Sequence, residues 1–154
     1  MKKQLRTLSL VLLSLICVSI GARAQITFTT TDGFECSVPE GESYATIVGY
    51  SGTASSITIP NYASNPQNAD GAGYEINAIE SLGSNSTIQK ISFDERWNVD
   101  KTNTINGNFI QGLSKLVILD VQNLSSTITF SSAINYPSSL VIISGNEELT
   151  QKMS

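Results

Sequence analysis

The chain has 154 residues, 40% of them hydrophobic and only 14% charged, with 13 acidic against 9 basic side chains and no histidine. The missing histidine excludes Ser-His-Asp and Cys-His catalysis and every histidine-ligated zinc site. Two cysteines are too few for a thiolate zinc cluster, and the acidic balance opposes nucleic acid or an anionic membrane as partner, since both need clustered Lys and Arg.

Residues 1–24 read as a cleavable export signal. Lys2, Lys3 and Arg6 form the basic start, residues 8–20 are an apolar run broken only by serines, and Ala22-Arg23-Ala24 has the small-x-small cleavage pattern. The apolar run falls short of the ~20 residues a spanning helix needs. Ile16 stands before Cys17 where a lipoprotein signal has Gly or Ala. Cleavage would remove four of the basic residues and leave five against 13 acidic, a net charge of −8 on a chain secreted or held at the cell surface. It would also leave Cys36 without a second cysteine, so stability is expected from packing and not from a disulfide.

Residues 25–50 read as a β-meander. Ile26 and Phe28 alternate with polar residues, Thr31-Asp32-Gly33 supplies a turn, and Phe34, Cys36 and Val38 alternate on one face. Cys36 is therefore expected inside, as a small apolar group. Pro39-Glu40-Gly41-Glu42 makes a second turn, and residues 44–49 a third strand that is apolar on both faces. The block does not share the pattern of residues 51–145 and is expected to cap the first coil of a repeat.

Residues 51–145 carry that repeat. The octet Ser86-Thr87-Ile88-Gln89-Lys90-Ile91-Ser92-Phe93 returns as Ser114-Lys115-Leu116-Val117-Ile118-Leu119-Asp120-Val121, an offset of 28. It returns more loosely as Ser138-Ser139-Leu140-Val141-Ile142-Ile143-Ser144-Gly145, an offset of 24. A short apolar strand at such spacing marks a solenoid, whose coils bury their apolar edges only by stacking. Ile57-Thr58-Ile59-Pro60 is a strand ended by proline. Residues 61–74 are expected as a loop, with Asn65-Pro66 and Asp70-Gly71-Ala72-Gly73 as breakers. Ile76-Asn77-Ala78-Ile79 opens the next coil, residues 94–103 form an insertion, Ile105 opens another coil, and Ile128 with Phe130 begins the last. Residues 146–154 read as a polar tail.

These residues resemble the BspA-type leucine-rich repeat proteins of bacterial surfaces. The likeness lies in Asp32-Gly33-Phe34 followed by Ala45-Thr46-Ile47-Val48-Gly49-Tyr50, in Ile57-Thr58-Ile59-Pro60, in Ile76 and Ile79, and in Phe109, Gly112, Leu113 and Leu116. Gly112-Leu113 stands where the family has a cysteine. The resemblance implies a mainly β, short leucine-rich-repeat solenoid with an N-terminal β-meander cap, exported for recognition or adhesion, and it carries over no catalytic residue.

Chemistry is sparse. Asp94, Glu95 and Asp120 are the nearest carboxylates for a glycosidase pair, and more simply a solvated polar edge. Asn68-Ala69-Asp70-Gly71 is similar to part of a calcium loop, but Pro66 and Asn77 occupy its first and last ligand positions. No metal or cofactor is expected. Trp97, the sole tryptophan, would anchor a ligand if exposed beside Arg96, or cover a coil edge if folded back. Arg96, Trp97, Tyr62 and Tyr74 are the candidate contact residues. The expected function is a non-enzymatic binding module for a protein or glycan on a cell surface or matrix. A self-assembling surface protein, stacking through its C-terminal coil, and a carbohydrate-active enzyme are the alternatives.

Overall fold

The computed structural model describes residues 25–68, 71, 73–95, 97, 103–124, 127–145, 147 and 151. The expected export signal lies outside the described residues, as does most of the tail.

The fold is mainly β, a solenoid of about 3 turns. Three strands open it as an antiparallel meander: β1 (Gln25–Thr29), β2 (Phe34–Pro39) and β3 (Tyr44–Tyr50). The chain then alternates between two sheets. One holds β6 (Gly73–Ile79), β8 (Thr104–Ile105) and β10 (Thr129–Phe130), added in parallel to β3. The other holds β4 (Ser56–Ile59), β7 (Lys90–Phe93), β9 (Ile118–Asp120) and β11 (Ile142–Ser144), all parallel. Strand β3 is thus the last of the meander and the first rung of a coil at once. Meander and coils share a strand and do not meet at a boundary after Tyr50.

The register of the second sheet follows the sequence repeat. Ile91 lies beside Leu119, an offset of 28, and Leu119 beside Ile143, an offset of 24. The cause is the two-residue period of a strand, because a slip of one residue would turn every apolar side chain outward. Aligned rungs stack into ladders through the core. Ile91, Leu119 and Ile143 form one, and the same offsets align Ile88, Leu116 and Leu140, and Leu82, Ile110 and Ile134. In the first sheet Ile79, Ile105 and Phe130 line up. The first and middle rungs are fully buried, whereas Ile143, Leu140, Ile134 and Phe130 are half-buried.

Residues 61–74 are not a loop throughout. Strand β5 (Tyr62–Ser64) folds back antiparallel on β6, with Ala63 beside Tyr74. Asn65 makes the turn that allows this: it is buried, and its Oδ1 accepts from the Gln67 amide at 3.0 Å.

Asparagines also fasten one coil to the next. Asn85 Nδ2 donates to the Gly52 carbonyl at 3.0 Å, while its Oδ1 accepts from the Thr87 amide at 2.8 Å. Asn123 Nδ2 donates to the Phe93 carbonyl at 2.8 Å. Turn carbonyls that no ladder can pair are satisfied in this way.

At the N-terminal end Phe28, Phe34, Cys36 and Val38 of the meander join the core, and Phe34 rests on Tyr50 at 5.1 Å between ring centres. Cys36 is the free cysteine among the described residues, and burial pushes its thiol up from an ordinary 9.0 to about 11.

The packing sets two outcomes. Leu119→Ala should cost about 2–5 kcal/mol in urea unfolding followed by circular dichroism, and Ile143→Ala clearly less, because its site is already part-open. Equal losses would mean that the ladder is not graded from its middle to its end. For Cys36, a raised folded pKa means the neutral thiol's contribution is complete below pH 9.0 and is lost as pH climbs toward about 11. Between those values the wild type should lose on the order of 2–3 kcal/mol relative to Cys36→Ala. Native protein should also resist alkylation at pH 8 until denaturant is added, as read by mass spectrometry.

Candidate functional site

The solvent-facing side of the second sheet carries polar side chains in register. Along each strand the residues alternate, so Ile57, Ile59, Ile91, Phe93 and Leu119 point inward while their neighbours face out. Thr58 pairs with Ser92 and Asp120 with Ser144, and the offset of 28 places Ser92 beside Asp120. Thr58, Ser92, Asp120 and Ser144 therefore form one polar row across four strands. Thr58 Oγ1 and Ser92 Oγ lie 3.0 Å apart in a hydrogen bond, and Ser92 Oγ also donates to the Ile57 carbonyl at 3.3 Å. With strands about 4.8 Å apart, the row is roughly 14 Å long.

One lysine and one aspartate bring charge to this face. Lys90 Nζ lies 3.9 Å from Asp120 Oδ2, with both side chains partly exposed. Solvent screens such a pair, so it is worth about 0–1 kcal/mol and serves to hold the carboxylate in place more than to stabilise the fold.

Beyond the ends of β4, β7 and β9 the row opens into a cleft of about 560 Å³, lined by Thr58, Ser92, Phe93, Asp94, Glu95 and Asn123. The Asp94 amide donates to the Ile59 carbonyl at 2.9 Å, which carries the inter-coil ladder past the end of the strand. Asp94 is level with Gln122 by the 28-residue offset, two positions out of step with Asp120. Asp94 and Asp120 are thus not side by side, and Asp120 is engaged by Lys90. Among the described residues, no group of three or more His, Cys, Asp or Glu side chains could hold a metal ion.

The structure places Trp97 inside, at a coil edge. It is 1% exposed, its indole Nε1 donates to the Pro60 carbonyl at 2.8 Å, and its ring meets Phe93 edge-on at 5.4 Å. Pro60 ends β4 and leaves an unpaired carbonyl at the coil edge, and the indole is the donor that satisfies it. Trp97 therefore covers the coil and offers no surface for stacking on a ligand. Arg96, the other candidate in this insertion, lies outside the described residues.

Tyr62 and Tyr74 do not form one platform. Ala63, not Tyr62, lies beside Tyr74, so the two rings project from opposite faces of the β5–β6 hairpin. Tyr74 is half-buried with its ring 5.7 Å from Phe28. Tyr62 is 47% exposed and lies across Gly73, whose amide donates to its hydroxyl at 3.1 Å. A Cβ at Gly73 would come within 2.4 Å of the Tyr62 ring, so only glycine admits this contact. Sequence carries one signal of the polar row, since the aligned octets place Ser92 and Asp120 at one level.

Trp97 supplies a direct check on this geometry. Its emission should be blue-shifted and poorly quenched by acrylamide in the native state, and should shift red on unfolding. Trp97→Ala should cost about 3–5 kcal/mol. Emission already red in native protein would place the indole in solvent. Compared with family models, with curated proteins and with solved structures, the chain matches none.

Proposed function

We propose that this chain is an exported, non-enzymatic recognition module of leucine-rich-repeat type, binding a protein or glycan on a cell surface or matrix. The polar row of Thr58, Ser92, Asp120 and Ser144, with the cleft at its end, is the observation that carries the reading. Short hydroxyls are donor and acceptor at once and lose little rotamer freedom on binding. Their spacing is held by the buried inner faces of the same strands, so a ligand meets a surface already arranged for it. Sugar hydroxyls and peptide groups suit such a row, and an acidic cleft with Glu95 exposed at its mouth favours neutral or basic partners. Tyr62 and Arg96 remain candidate contacts. The basic and apolar start of the sequence and its Ala22-Arg23-Ala24 step support export.

The test is an array of extracellular-matrix proteins and glycans probed with wild type, Ser92→Arg, Tyr62→Ala and, as a control in a separate polar cleft, Gln111→Ala. A saturable hit weakened at least about tenfold by Ser92→Arg and untouched by Gln111→Ala is expected. Silence from folded protein, or a hit indifferent to Ser92→Arg, would sink the proposal.

A further inference from the structure

The two ends of the solenoid are finished differently. At the N-terminal end the first rungs Ile47, Ile57 and Ile59 are buried, in one core with Phe28, Phe34, Cys36 and Val38 of the meander. At the other end the four ladders described above stop on half-buried residues: Phe130, Ile134, Leu140 and Ile143. A fifth ladder, Phe93 and Val121, ends on Gly145 by the same offsets and so has no side chain at its last rung. A Cβ there would meet the Gln122 amide nitrogen at 2.5 Å.

The outer face of the same end is apolar. Ile142 lies beside Ile118, and the amides of Val141 and Ile142 donate to the Val117 carbonyl at 3.0 and 3.1 Å. Val117, Ile118, Val141 and Ile142 are therefore contiguous. Val141 is 77% and Ile142 46% exposed. Among the described residues strand β11 is the last in its sheet. A terminal strand that is apolar, β-branched and uncharged is one that proteins ordinarily cover.

Charge points to what covers it. Residues 121–146 include no charged side chain, in a chain otherwise rich in carboxylates. Two acidic copies repel least across such a coil. A second copy also brings the matching apolar surface. The N-terminal end cannot supply it, because its first rungs are already covered and the outer residues of β4, Ser56 and Thr58, are polar. Head-to-tail growth would set an apolar end against a closed one.

We infer that the protein forms a two-fold dimer through its C-terminal coils, β11 pairing antiparallel with β11 of the second copy. A two-fold axis normal to both sheets brings each last rung against its own copy and closes the assembly at two chains. The dimer is independent of the recognition reading, since it leaves Thr58 and Ser92 open on each copy.

Protein expressed from the full reading frame and purified is examined by sedimentation velocity across a wide concentration range, alone and as Val141→Lys and Ile142→Lys. Reversible dimers are expected, weakened at least about tenfold in both variants, with unchanged circular dichroism; Val141 is so exposed that its variant should fold. Ile142→Cys should cross-link to itself under oxidation, whereas a mixture of Ser56→Cys and Ile142→Cys should give no mixed product. Monomer at every concentration, open-ended oligomers, dimers indifferent to both lysines, or a mixed cross-link would each overturn the inference.

Discussion

The structure depends on the parallel ladder of backbone hydrogen bonds that joins each coil to the next. That ladder forces equivalent residues of successive coils into line, and alignment turns short apolar strands into continuous stacks. A single coil has apolar side chains on an edge it cannot cover. The stack of Ile91, Leu119 and Ile143 shows the result: the middle residue has a neighbour on both sides and is sealed, and the last has a neighbour on one side only. Stability in such a fold is local and additive, falling toward any uncovered end.

The irregular parts then read as answers to that constraint. The meander closes the first coil with Phe28, Phe34, Cys36 and Val38. The indole of Trp97 seals the edge that Pro60 opens. Asn85 and Asn123 satisfy turn carbonyls between coils. None of these side chains belongs to the repeat, yet each neutralises a defect that the repeat creates.

The same constraint separates surface from core. Since the inner residues of the second sheet are locked, its outer residues occupy positions they did not have to select for themselves. Thr58, Ser92, Asp120 and Ser144 stand on that outer side, apart from the apolar ladders. Substitutions among them are expected to leave the ladders beneath undisturbed.

Sequence alone determined the coil spacing. The offsets of 28 and 24 became the register of Ile91, Leu119 and Ile143, because a strand repeats every two residues and tolerates no slip. The burial of Cys36 followed from the same alternation. What required the tertiary structure was everything set by a partner remote in the chain. The Asn65-Pro66 breaker gave no sign that Tyr62–Ser64 would pair with β6 across the turn. Trp97 reads as anchor or cover, and what it covers is not legible until Pro60 is placed 2.8 Å from its indole, 37 residues away in sequence. That Tyr62 and Tyr74 project from opposite faces is likewise set by the hairpin register. Periodicity reports which side of an element is apolar, but the fate of a single large side chain is decided by the one unsatisfied group it meets in space.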